Sequence, residues 1–248
     1  MSGIAVSRHR TRCPKKNTRL ILARSDNTKT KGNLEMKQSL TTLASFILIG
    51  LCLQPLSAAA QGAAENMNFF VTSVGPGDGA DLGGLAGADA HCQSLAEAAG
   101  AGDDTWQAYL SASEAGGEPA INARGRIGQG PWSNVQGVLI AESVEELHSD
   151  SANISEETAL TETGETPSRH DMLTGSQLDG TAYPAGDNRT CQNWTSSGEG
   201  SPWVGHSDRR ARGVPGSPWN SAHASAGCSP ADLRSTGGDG LFYCFAID

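Results

Sequence analysis

No lysine occurs after Lys37, and aromatic residues make up only 5% of the 248-residue chain. Ten of the 18 basic residues lie in residues 1–60, beside only two acids, Asp26 and Glu35. The rest of the chain sets eight arginines against 25 acids, a formal balance of −17. A surface of that sign repels phosphate backbones and anionic membranes, so no nucleic-acid partner is expected. Metal-ligand spacing of the C-x-x-C type is absent, which argues against a zinc–thiolate site. No H-E-x-x-H and no nucleophile elbow occurs either, so the usual signatures of a metalloprotease or serine hydrolase are missing. The longest apolar run, Leu43 to Leu53, is too short and too closely followed by Pro55 for a membrane span.

That run has another reading. Met36-Lys37 makes a short basic start, the apolar stretch follows, and Ser57-Ala58-Ala59-Ala60 supplies small residues, the three parts of a secretory signal peptide. The expected order is therefore an extended or mis-assigned N-terminus over 1–35, a signal peptide over 36–60 and a short lead over 61–67. Cleavage near Ala60 would leave a secreted or periplasmic chain with no membrane span. Four cysteines then remain: Cys92, Cys191, Cys228 and Cys244. An even number in an oxidising compartment points to two disulfides, for which three pairings are open.

Residues 68–248 read as one loop-rich α+β domain, with 31 glycines and 11 prolines in the whole chain. Asn68 to Ser73 is rich in strand formers and ends at Gly75-Pro76-Gly77. Ala88, Cys92, Leu95, Ala96 and Ala99 recur at helical spacing, which predicts a helix over 88–99 with Cys92 inward, Asp89 in its first turn and Gly100 as its stop. Trp106 to Ser111 alternates as a strand does. Residues 141–169 are acidic and polar, an irregular solvated excursion with one helical turn near Ser143–Leu147. The segment from Asp171 to Cys191 reads as loops. The run Leu241–Ile247 is the other strong strand, and pairing of the first and last strands is the expected organisation.

The order of these features resembles a known family. Gly87-Ala-Asp-Ala-His-Cys92 opening a helix, followed by Trp106-Gln-Ala-Tyr-Leu-Ser111, is similar to the start of endostatin-like domains, a branch of the C-type lectin-like fold. Gly175-Ser176, Asp179-Gly180, Cys191-Gln-Asn-Trp194 and the closing Leu241-Phe-Tyr-Cys244 keep the same order. Bacterial secreted proteins labelled lectins look closer still, with segments like Arg126-Ile-Gly-Gln-Gly-Pro-Trp132, His170-Asp-Met-Leu-Thr-Gly-Ser176, Val204-Gly-His-Ser-Asp208 and Trp219-Asn-Ser-Ala-His223. The resemblance implies a C-type lectin-like fold of short antiparallel strands, one main helix and long loops. It also implies the pairing Cys92–Cys244 with Cys191–Cys228.

Calcium-dependent lectins hold Ca²⁺ and sugar through Glu-Pro-Asn or Gln-Pro-Asp and Trp-Asn-Asp triplets. Here Ala120 follows Glu118-Pro119 and Ser221 follows Trp219-Asn220, so neither triplet is intact. Ca²⁺ is left as a candidate ligand of acid-rich turns such as Asp78–Asp81 and Asp179–Thr181, and no cofactor is required. His148, His170, His206 and His223 each lie near Asp, Ser or Asn, yet in loop-rich domains such groups commonly satisfy turn backbone. No catalytic residue is assigned. The expected function is recognition of a carbohydrate or cell-surface polymer on the Cys191–Cys228 loop and the His170–Gly180 turn. Asn193, His206, Asp208, Trp219, Asn220 and His223 are the expected lining residues, with Trp203 a further aromatic on that loop. The alternatives are a protein-interaction or envelope structural module of the same fold, and a hydrolase built on the His/Asp/Ser-rich loops.

Overall fold

The last apolar run is the centre of the sheet. In the computed structural model, which describes residues 66–248, strand β10 (Gly238–Ala246) carries β1 (Phe69–Val71) antiparallel on one edge. On its other edge it meets β2 (Trp106–Ala108) antiparallel and β5 (Asp171–Leu173) parallel. The sheet continues outward through β6 (Trp203–His206) and β9 (His223–Ala224), both antiparallel to their neighbours. Two small hairpins, β3 (Trp132–Ser133) with β4 (Leu139–Ala141) and β7 (Arg210–Ala211) with β8 (Val214–Pro215), lie off this sheet. The helices are α1 (Gly84–Ala99), the short α2 (Val144–Leu147) and α3 (Cys191–Trp194), and α4 (Pro230–Thr236). No helix among the described residues is long and apolar enough to cross a membrane. Residues 1–65, which include the expected signal segment and most of the lead, lie outside the described part.

Successive side chains of a strand point to opposite faces, and β10 uses both. Phe242, Cys244 and Ala246 enter one core with Phe70, Ala88, Cys92 and Trp106. Leu241, Tyr243 and Phe245 enter a second with Phe69, Tyr109, Trp132 and Trp219. A strand buried on both faces reads as a continuous apolar run, not an alternating one, which is why Leu241–Ile247 stood out. The fold is therefore α+β, with β1 and β10 paired as expected. Both disulfides, Cys92–Cys244 and Cys191–Cys228, sit in the helix-side core.

Three expectations are corrected. Helix α1 begins a turn earlier than the apolar spacing suggests, so Asp89 is not in its first turn. Asp89 instead accepts the Ala108 amide and pairs with Arg126, fixing α1 to the sheet. Residues 141–169 are irregular apart from the helical turn α2 and the end of β4, as expected, but they are only partly solvated, because Ile154 and Ala159 fill the second core and the Val71 amide donates to the Leu160 carbonyl. The buried Glu162 carboxylate accepts from the Ser73 amide and hydroxyl. The segment after Asp171, read as loop, opens with β5, a strand of three residues and too short to show alternation.

Candidate functional site

Two regions carry chemistry beyond packing. The first is at the outer end of the sheet. Register places Asp171 of β5 directly opposite His206 of β6, and His223 of β9 opposite Val204, two residues before His206. With a period of two, Asp171, His206 and His223 share one face. His170, just before β5, stacks its ring on His206 with centroids 4.6 Å apart. The Asp171 Oδ1 atom lies 3.2 Å from His170 Nε2, 3.3 Å from His206 Nε2 and 3.7 Å from His223 Nε2.

Burial differs sharply within this cluster. The side chain of Asp171 is 1% exposed and that of His206 4%, whereas His170 and His223 are 37% and 39% exposed. Burial pushes the Asp171 carboxyl up to about 6, against the charges of His223 and His170, which favour the carboxylate. Burial, followed by repulsion from His170, lowers His206. Near neutral pH the pair is thus a carboxylate beside a neutral imidazole. Cleft space of about 200 Å³ opens beside His170 and Asp208. The neighbouring Ser207 hydroxyl bonds the His170 carbonyl, and no serine hydroxyl among the described residues is hydrogen-bonded to an imidazole.

The second region is a polar surface over the Cys191–Cys228 loop. Trp203 is its half-buried platform: Arg189 lies 4.3 Å over the Trp203 ring and 4.6 Å from the Tyr183 centroid. Trp203 Nε1 donates to the Ser221 hydroxyl at 2.9 Å, and Tyr183 shares that hydroxyl at 3.2 Å. Asp187 holds the Arg189 guanidinium at 2.8 Å. Four shallow clefts, of about 310, 540, 420 and 510 Å³, follow one another across this surface. The first two share Asp187 and Asn188, the next two share Trp203, and the last two share Leu178, which is 61% exposed.

The six expected lining residues do not form one surface. His206, Asp208 and His223 belong to the cluster around Asp171. Trp219 is 3% exposed, with Tyr109, His148 and Tyr243 around its ring and its Nε1 bonded to the Leu147 carbonyl. It packs in the second core, and only its edge, with Asn220, reaches the lining of the fourth cleft. Asn220, 2% exposed, donates to the Tyr109 hydroxyl and the Gln177 and Leu178 carbonyls, satisfying buried turn backbone. Asn193 exchanges two hydrogen bonds of 2.9 Å with the Ser113 backbone and so clips the loop down, at the edge of the first cleft.

The acid-rich turns are occupied locally: Asp81 accepts the Gly83 amide, and Asp179 accepts the amide and hydroxyl of Thr181. Sequence reasoning passed over Asp171, Tyr183 and Arg189. Asp171 was visible only as half of His170-Asp171, and no spacing motif links segments that strand register brings together. No protein-family model and no curated protein matches the chain.

Proposed function

We propose that this chain is an exported binding domain of the C-type lectin-like kind, and that it recognises a carbohydrate or cell-surface polymer along the four joined clefts. The observation that carries the reading is the shared-residue run of clefts centred on Trp203. An elongated, shallow groove suits an extended chain better than a small compact ligand. Its walls are amides, hydroxyls, carboxylates and the Arg189 and Arg209 guanidinium groups, with Trp203 and Tyr183 as the central aromatic pair and Arg189 lying over the Trp203 ring. Such a lining matches a ligand with many hydroxyls and a few apolar ring faces. The platform is held in place before any ligand arrives, because Ser221, Asp187 and the Arg189 stack fix Trp203 and Tyr183. That pre-organisation lowers the ordering cost of binding.

A glycan array probed with the purified full chain, with and without Ca²⁺, tests this reading. Trp203→Ala is expected to weaken binding to the best glycan about ten-fold, the upper range of a lost aromatic contact. No glycan binding, with specific capture of a protein through the same Trp203 surface, favours the protein-interaction alternative, for which exposed Leu178 is the anchoring feature.

A further inference from the structure

The three imidazoles around Asp171 are all engaged through the same ring atom. His170 Nδ1 lies 3.3 Å from the Asp208 carboxylate, His223 Nδ1 lies 3.0 Å from the Ala224 carbonyl, and His206 Nδ1 meets the Arg210 carbonyl. A carboxylate or carbonyl oxygen can only accept, so each Nδ1 is the donating atom and Nε2 is the ring atom left to offer a lone pair to a cation. Those three Nε2 atoms face Asp171 Oδ1. Lone pairs and a carboxylate therefore face one another, and the Thr236 hydroxyl near Asp171 does not reach hydrogen-bond geometry. The buried Asp171 Oδ1, Asp171 Oδ2 and His206 Nε2 have no hydrogen-bond partner. Leaving such groups buried and unsatisfied is costly, and protonating all the rings would set imidazolium groups against one another at 4.6 and 4.9 Å.

From this geometry we propose a binding site for a borderline divalent cation of the Zn²⁺ class, held by Nε2 of His170, His206 and His223 and by the Asp171 carboxylate. The distances fit. A tetrahedral site with metal–ligand bonds of about 2.05 Å has ligand–ligand edges of roughly 3.3 Å, and the three nitrogens stand 3.2, 3.3 and 3.7 Å from Oδ1. The ligand atoms of His170, Asp171 and His206 all lie within 4.8 Å of one another. His223 Nε2 stands 3.7 Å from Oδ1 but outside that mutual distance from the rest of the set, so this half-exposed ring on the sheet edge turns in to complete the coordination when the ion binds. Bonds from Asp208, Arg210 and Ala224 to the far ring nitrogens are the outer-shell contacts that fix a ligating imidazole. Three imidazoles and one carboxylate suit zinc and its neighbours, whereas Ca²⁺ and Mg²⁺ prefer all-oxygen sets. With four protein ligands the site is of the closed, structural type. His206 and His223 both lie inside the Cys191–Cys228 segment, so the ion would tie that segment to β5 as a second staple beside the disulfide.

The test is a Zn²⁺ titration of the untagged, chelator-dialysed full chain, read by calorimetry and native mass spectrometry. One equivalent is expected to bind and to raise Tm by several degrees, with an equal concentration of Ca²⁺ failing to displace it. Asp171→Asn is expected to weaken Zn²⁺ binding at least about ten-fold while its metal-free form melts no lower than the metal-free parent. His223→Gln, at a half-exposed position that leaves the core intact, is expected to weaken binding by a similar factor. No stoichiometric uptake, or uptake unchanged by both substitutions, overturns the proposal.

Discussion

His148 shows how one buried side chain makes stability depend on pH. Its Nδ1 donates to the Val144 carbonyl at 2.7 Å, and its Nε2 accepts from the Tyr109 hydroxyl at 2.7 Å. The ring is thus built in as a neutral imidazole, and burial lowers its proton affinity below the ordinary 6.5, with Arg124 adding to the effect and Asp179 and Glu145 opposing it. Below 6.5 the unfolded chain takes up a proton that the folded chain resists. The stabilisation is therefore complete above that pH and is lost as pH falls through it. Urea midpoints measured at roughly pH 7.5 and 5.5 are expected to fall on acidification, and to fall less in His148→Gln, whose amide cannot titrate. At this scale the sequence was informative about kind and silent about place. It marked His206, Asp208 and His223 as chemistry-bearing. Their convergence on Asp171 depends on which residues face each other across β5, β6 and β9, and strands of two to four residues leave no periodic trace to read.

Among the elements, α1 shows the same limit. Its inward face, Ala88, Cys92 and Ala96, was legible from spacing, and Gly100 ends it with φ 87°. Its start was hidden, because Gly83, Gly84 and Gly87 are poor helix formers and the first two have left-handed backbone, with φ 74° and 75°. These glycines have different reasons to be there. A Cβ on Gly100 meets nothing within 4 Å, so Gly100→Ala is expected to cost only the left-handed backbone, about 1 kcal/mol. A Cβ on Gly87 would collide with the Leu82 carbonyl oxygen. Gly87→Ala is expected to cost about 2–3 kcal/mol, since backbone must shift and the better helix propensity recovers only part of it. Chemical denaturation of the two variants decides the order. The turn α3 is stranger still: Cys191, Gln192, Asn193 and Trp194 all have positive φ, between 49° and 67°. Left-handed backbone disfavours such residues by about 1–2 kcal/mol each. Thr190, the Asn193–Ser113 clip and the Trp194 Nε1 bond to the Ser111 carbonyl hold it there. Nothing in Cys-Gln-Asn-Trp announces this conformation, because the restraints come from residues about 80 positions away.

On the scale of the whole molecule, the two cores are secured differently. The helix-side core holds all four cysteines of the described residues, and the other is packed from aromatic rings without a covalent link. The bridges close loops with sequence separations of 152 and 37 residues. In the chain-entropy account these separations correspond to about 5 and about 4 kcal/mol. Cys92→Ser with Cys244→Ser is therefore expected to lower stability more than Cys191→Ser with Cys228→Ser, measured by denaturant midpoint under non-reducing conditions. The α+β class, the main helix and the end-to-end strand pairing were foreshadowed by long or strongly patterned segments, whereas the cysteine count foreshadowed two bridges and only the family resemblance implied their pairing. The two-sided burial of the sheet and the well-packed 141–169 segment were not, because their partners are distant in sequence and their apolar residues are few.

The central place of β10 also sets an order of events. Every strand it joins, β1, β2 and β5, is synthesised before it, so none of these pairings exists until the chain has been made as far as Ala246. The bridges are nested, the first cysteine of the four with the last. An oxidant that joined thiols as they emerged would link Cys92 to Cys191 and trap the wrong chain. The native pairing requires Cys92 to stay reduced, or to be reshuffled, while more than a hundred further residues are added. The sheet can close only once its central strand, the last of the described strands, has been made.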